Sequence, residues 1–589
     1  MVEFRPAMSH CAACGCELKV QKTRPRSVST LHIGRLIARE VFLNCASCEQ
    51  TYRSEELCGL VPPGSNFGYD VMVYVGNALF HRHRNEAEVV AELAQKNVRI
   101  SPREVSVLGM KFVVYLAIAH QQRVPDMRTD MQSRGGYICH LDATCEGGNP
   151  FLMSSIDSLS QIVLGNVKLP CENEAHIAPF LNRIRQSFGV PLALVHDMGS
   201  GILKAVAIVF PGVPNFVCHF HFLRDIGKDF LGGEYDIIRK RLRRHRISAV
   251  LRYRAKQLKR DIDAQPSIIS ALCRDMHNGI IPAEDFALTP LIGAYTLIQW
   301  ALQGKKEGDG YGFPFDRPHL AFAQRLKRLN AHLERIKVIK LRGQWRDNCP
   351  YLKCHIALQP IVKDQALWRA VEKLEAKIAV FDRLRQAMRI ALPQGIHGIN
   401  DEGAADKIHT IEKRVTLFRT WLLRQKEYSQ DRAANKMIEQ LDKYWNKLFA
   451  DPITVQTPLG STTIQPQRTN NIMEQFFRRF KRDSRRRSGN GSAGRMLRTI
   501  LAETPLVSNL KNPSYMKILL GEKSSLEAIF AEIEIETLRK AFREAKNDPE
   551  RIPAKLKPII AMADFPCPFG KRACGVKPGF CTLFTKGRR

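Results

Sequence analysis

The chain has 589 residues, too many for one hydrophobic core; at roughly 150 residues per domain it is expected to fold as several units. Ninety Lys and Arg against 58 Asp and Glu leave a formal charge of +32, and the excess is clustered, in RKRLRRHR at 239–246 and RRFKRDSRRR at 478–487. Such a balance implies a polyanionic partner, with nucleic acid the leading candidate. Membrane is excluded, because neither cluster has a lipid-facing apolar stripe and no apolar stretch approaches the roughly 20 residues of a bilayer span.

The first residues, MVEFRPAMSH, lack the apolar core of a secretory signal, so a soluble, cytoplasmic protein is expected. Sixteen cysteines in a reducing compartment read as thiols and metal ligands rather than disulfides. Cys11-Ala-Ala-Cys14 and Cys45-Ala-Ser-Cys48, separated by Thr/Ser/Arg-rich sequence that can pair as strands, form a zinc-ribbon pattern: two knuckles supply four thiolates for tetrahedral Zn2+. Cys16 and Cys58 are spare, and Cys16 is an alternative to Cys14. After the linker-like VPPGS at 61–65, residues 69–120 have helical spacing, broken at Asn97 and Val98 and restarted by Ser101-Pro102 as N-cap and first helical residue. Helix, short turn and capped second helix make a helix-turn-helix pattern that can enter a DNA major groove.

From 137 the period changes. YICHLDA, FLMSSIDS and QIVLGNV read as three antiparallel strands, ENEAHIAPFLNRIRQSFG as a helix ended by Gly189, and LALVHD as a strand closing on Asp197. GILKAVAIVF follows as a helix and NFVCHF as a fifth strand. Three strands, helix, strand, helix, strand is the order of an RNase H-like fold, in which the ends of the first and fourth strands adjoin. Asp142 and Asp197 are therefore expected to approach one another. Residues 229–455 are helical in pattern, hold all five tryptophans and look inserted. The strand-like ITVQTPLGSTTIQP then leads into the helix TNNIMEQFFRRFKRDSRRRSG. Cys567, Cys574 and Cys581 recur evenly near the end without an obvious fourth ligand.

Two Mg2+ (or Mn2+) ions around a phosphodiester need hard oxygen ligands, and few carboxylates suffice because magnesium keeps waters. Asp142 and Asp197 supply two; Glu474 is the third candidate, since its helix follows the insertion and can return to the sheet. The same helix carries Arg478, Arg479, Lys481, Arg482, Arg485, Arg486 and Arg487, expected to contact DNA phosphates. Each acid has a plainer reading: Asp142 as a turn cap, Asp197 as a helix start, Glu474 as a capping-box glutamate three residues after Asn471.

The segment from 137 to about 505 resembles the catalytic region of DDE transposases of the bacterial insertion-sequence and Mutator-like groups. The resemblance rests on LDAT with Asp142, VHDMGSG with Asp197, CHFHFLRD with Cys218 and His221, GFPFDRPHLAFAQRL at 312–326, and TNNIMEQFFRRFKRDSRRRSG with Glu474. It implies an α/β fold: an RNase H-like catalytic core interrupted by a large all-helical insertion, with an N-terminal zinc ribbon and helix-turn-helix. The divisions expected are a ribbon at 1–60, a helix-turn-helix region at 61–128, core at 129–228, insertion at 229–455, core with the glutamate helix at 456–525 and a basic tail at 526–589. It further implies Asp142, Asp197 and Glu474 as metal ligands, Cys218 and His221 as a structural pair at a strand-to-helix junction, cleavage at transposon ends with strand transfer into target DNA, a homo-oligomer on DNA, and association with a bacterial nucleoid. Glu503, also near the basic helix, is the third carboxylate under a shifted register. The alternatives are an RNase H-like nuclease and a transposase-derived DNA-binding protein without catalysis.

Overall fold

The computed structural model describes residues 1–264, 289–340, 349–392, 407–428 and 430–545, with isolated positions between 265 and 288. Cys567, Cys574, Cys581 and Trp345 lie outside them. The chain is α/β and divides into two compact units, one of 1–215, 453–464 and 470–589, the other of 216–452 and 465–469. No described helix is long and apolar enough to cross a membrane.

The first unit opens with β1 (Val2–Phe4), β2 (Leu18–Thr30), β3 (Gly34–Cys45) and β4 (Thr51–Tyr52). β2 and β3 form a long antiparallel ribbon with a bulge after Val20, and β3 also pairs with β1 and β4. Its apolar clusters are small, Phe4, Val28, Ala38, Leu57 and Val61 in one and Leu18, Val41 and Leu43 beside the cysteines in the other, as expected of a segment that a metal would have to hold together.

The central sheet contains β5 (Ile138–Thr144), β6 (Phe151–Asp157), β7 (Val163–Leu169), β8 (Ala193–His196) and β9 (Asn215–Val217), in the order β7-β6-β5-β8-β9. β5, β6 and β7 are antiparallel neighbours, while β8 lies parallel to β5 on its other side. Ile138, Cys139, His140 and Leu141 are all buried, so β5 is covered on both faces and reads as a continuous apolar run rather than an alternating one. Between β7 and β8 the helix Glu174–Phe188 is capped by Asn173, whose side chain accepts from His176 N–H, and stops at Gly189. The helix Ser200–Val209 connects β8 to β9.

The helices Glu86–Gln95 and Pro102–Gln122 form where helical spacing predicts them, with Ser101 accepting from Glu104 N–H at the second N-terminus. They are not a free-standing module. Leu108, Phe112, Tyr115, Leu116 and Ala119 are buried in one continuous core with Leu141 and Leu152 of the sheet and with Tyr515 and Phe530 from the end of the chain. The helix is exposed in its first turn at Pro102 and Arg103, at Met110, and at its end at Gln121 and Gln122. The hairpin β10 (Ile453–Thr457) and β11 (Gly460–Ile464) and the helix Asn471–Ser488 complete the arrangement.

The second unit contains eight α-helices among the described residues, from His219–Arg244 to Arg432–Leu448, and no strand beyond the end of β9. It spans 216–452 and 465–469, overlapping the expected insertion at 229–455 but beginning before the unbroken helix His219–Arg244. The tryptophans described here act as edges of packing: Trp368 Nε1–H donates to the Val362 carbonyl at 2.9 Å, and the Arg383 guanidinium stacks 4.0 Å from the Trp421 ring.

Candidate functional site

The two cysteine knuckles have the same backbone design. In the first, Cys11 N–H donates to Cys16 O and Gly15 N–H to Cys11 O; in the second, Cys45 N–H donates to Gln50 O and Glu49 N–H to Cys45 O. Gly15 and Glu49, the residues after each pair, both have positive φ, +72° and +58°. This turn aims both thiols of a pair at one point. The sulfurs of Cys11, Cys14, Cys45 and Cys48 all lie within 4.8 Å of one another, with Cys11 to Cys48 at 3.4 Å and Cys14 to Cys45 at 3.3 Å. A tetrahedron with Zn–S of ~2.3 Å has S···S edges of ~3.8 Å, so the donor set fits zinc. Cys14, and not Cys16, is the fourth member of this cluster. The Tyr52 hydroxyl, 3.1 Å from Cys11 Sγ, holds that thiol low, at about 6, and the Cys48 backbone N–H lowers Cys45. Cys11 and Cys45 are thus the readier thiolates of the four, whereas Cys48 is raised and Cys14 pushed up to about 12.

The carboxylates are positioned by sheet register. Ile138, Cys139 and His140 of β5 face Ala193, Leu194 and Val195 of β8; continued two residues, the register sets Asp142 beside Asp197 at the strand ends. Across the other edge of β5, Asp142 pairs with Ser154 and Ser154 with Asn166, so one polar row crosses the sheet. Asp142 Oδ1 accepts from Ala143 N–H at 2.8 Å and Asp197 Oδ1 from Gly199 N–H at 2.9 Å. A Cβ at Gly199 would lie 3.0 Å from that Asp197 oxygen, and one at Gly201 only 2.1 Å from the Glu172 carbonyl. The turn after β8 thus has no room for a side chain at Gly201, and a Cβ at Gly199 would crowd Asp197.

The Glu474 helix is pinned to β5 by its own N-cap. Asn470 Nδ2–H donates to the Leu141 carbonyl at 2.7 Å, and Asn470 Oδ1 meets His140 Nδ1 at 2.9 Å. Asn470 makes no side-chain capping bond to its helix, so the capping-box reading of Glu474 does not apply: the cap residue is Asn470, and its amide is spent on the strand carrying Asp142. Met473 and Phe477 are buried below, leaving Glu474 half-buried one residue round. Burial, then the charge of Asp197, and further those of Glu474 and Glu172, push the Asp142 carboxyl up to about 8. Acids distant in sequence therefore act electrostatically on Asp142, although the oxygens of Asp142, Asp197 and Glu474 are not gathered as closely as the four sulfurs.

Glu172 is the acid that sequence reasoning passed over; it stands just before a helix in CENE, and its charge is among those that raise Asp142. Glu503 falls elsewhere. Its Oε2 accepts from Asn166 Nδ2–H at 3.2 Å on β7, two strands from β5.

The seven cations after Glu474 divide by helix face. At 100° per residue, Arg478, Lys481 and Arg485 share the Glu474 face, Arg479 and Arg487 turn to the other side, and Arg482 and Arg486 are exposed between them. Cys218 and His221 belong to the second unit, where both are buried at the start of the helix His219–Arg244; no metal-ligand cluster includes them among the described residues. Burial depresses His221 to about 3, so it is neutral. There Phe220 stacks on Phe315 of the GFPFDRP segment at 4.9 Å, joining two of the quoted motifs. Comparison of the chain with family models and with curated proteins yields no match.

Proposed function

We propose that the chain is a DNA transposase of the DDE class, with an RNase H-like core in which Asp142, Asp197 and Glu474 form the reaction centre. The observation that carries the reading is the joint placement of the acids: two strand ends in adjacent register, and a third acid on a helix whose cap is hydrogen-bonded to the first of those strands. Hard carboxylate oxygens fit Mg2+ or Mn2+, which would be held by these three residues and would supply charge neutralisation and an activated hydroxyl. Mutual repulsion in the site supports this, since a divalent cation relieves it.

The chain's own contribution is positioning. Arg478, Lys481 and Arg485 continue the Glu474 face and draw a phosphate backbone along it, so that a scissile phosphate meets the acids with its charge already countered. Water cuts at the element end, and the freed 3′-hydroxyl attacks target DNA. Two ends have to be held at once, so the working form is a dimer or larger on DNA. The zinc ribbon and the exposed first turn at Pro102 are further DNA contacts in this reading.

Glu474→Gln is expected to abolish metal-dependent strand cleavage while leaving end-DNA affinity within about twofold, as for loss of a group used only at the reacting centre. Normal cleavage by that variant would remove the assignment. Joined products on a labelled end substrate separate a transposase from an RNase H-like nuclease, which cuts and never joins.

A further inference from the structure

The face of the Asn471–Ser488 helix turned away from Glu474 lines a groove of about 510 Å³ in the first unit. Its apolar lining combines aliphatic side chains, Ile472, Ile500 and Val507 among them, with three phenylalanines: Phe476 and Phe480 lie near-parallel, with centroids 6.3 Å apart, and Phe80 lines it as well. Three cations, Arg479, Arg487 and Lys511, line it beside uncharged polar groups such as Gln161, Ser484 and Asn512. The one carboxylate in the lining, Asp483, is already engaged by His83 at 3.6 Å and Arg482 at 3.7 Å.

Arg487 is the informative member. Its guanidinium lies 5.1 Å over the Phe80 ring, between this groove and a second cavity beside it, and among the described residues it has neither an ion pair nor a hydrogen bond. Burial lowers its pKa, and only the charge of Glu86 opposes that. A half-buried guanidinium with no protein acceptor is a cation left open to an anionic ligand in the groove. Lys511 also lacks a carboxylate partner among the described residues.

We infer that this groove binds one unpaired nucleotide of a DNA strand, its phosphate on Arg487 and Lys511 and its base against Phe476 and Phe480. The charge is complementary to a phosphate, the volume suits a nucleoside, and the phenylalanines supply the π-face that an unstacked base seeks. A base within a duplex cannot present that face, so the occupant is single-stranded or extruded. The inference deepens the proposed function by giving the same helix a second DNA subsite, separate from the acid face.

The test uses the full chain without divalent metal and a five-nucleotide single-stranded DNA with a central 2-aminopurine, followed by fluorescence quenching. Wild type is expected to bind and quench. Arg487→Gln with Lys511→Gln is expected to bind at least about tenfold more weakly, and Phe480→Leu to lose quenching with an affinity loss of about tenfold, the scale of one base–aromatic stack. An unchanged melting temperature certifies each variant as folded. Wild-type binding and quenching by both variants, equal affinity for an oligonucleotide abasic at the central position, or occupancy by laurate but not by DNA would each overturn the inference. Glu474→Gln should quench like wild type. Loss of quenching in the groove variants without any cleavage by wild type would leave the groove standing and remove the transposase reading; cleavage with indifferent groove variants would do the reverse.

Discussion

Asp142 shows how one carboxylate changes meaning with its surroundings. LDATCEGG allows a turn cap, and the bond from Ala143 N–H is of that local kind. What sets it apart is the nearby charge of Asp197, Glu474 and Glu172, which comes from other elements. Glu503 offers a contrast, a half-buried acid hydrogen-bonded by Asn166 with no share in that cluster, whose carboxyl is raised by burial from 4.5 to about 7. Because its folded pKa exceeds the unfolded one, its contribution is fully present below about pH 4.5 and is lost as pH rises through about 7, up to roughly 3 kcal/mol in all. Glu503→Gln keeps the acceptor oxygen and removes the titration. It is expected to match wild type in thermal stability near pH 4 and to exceed it at pH 8; equal midpoints at both pH values would show that Glu503 carries no such penalty.

Among the elements, those defined by local chemistry were legible. The Ser101-Pro102 cap, the helix ended by Gly189 and the strand before Asp197 all follow from short-range pattern, and the structure has them there. The use made of the helix Pro102–Gln122 was not legible, because helical spacing shows that a face is apolar without showing what covers it; here the cover is the sheet and the last helices. Likewise RRFKRDSRRR announced charge, but only the winding of the helix separates an acid face with Arg478, Lys481 and Arg485 from a groove face with Arg479 and Arg487. The ribbon is an element with little core, so its metal should be structural: Cys45→Ser with Cys48→Ser is expected to lose one equivalent of zinc by elemental analysis and to make residues 1–60 protease-sensitive. Retention of stoichiometric zinc and of protease resistance would contradict this.

For the whole molecule, a charge of +32 has to be screened by something, and the proposed partner makes that measurable. If Arg478, Lys481 and Arg485 contact phosphates, replacing all three by Gln should flatten the dependence of log binding constant on log salt by about 3, with little change in sequence preference. An unchanged salt slope would place the DNA elsewhere. The sequence by itself determined the element order, the paired cysteine knuckles, the helical block that divides the first unit and the excess of positive charge, because these follow from composition and from periods of two and 3.6 residues. Tertiary structure alone decided that Asn470 spends its amide on β5 instead of its own helix, that Glu172 joins the acids and that Glu503 does not. Those outcomes depend on which backbone groups are left seeking partners once the sheet has closed, and no local stretch of sequence contains that information.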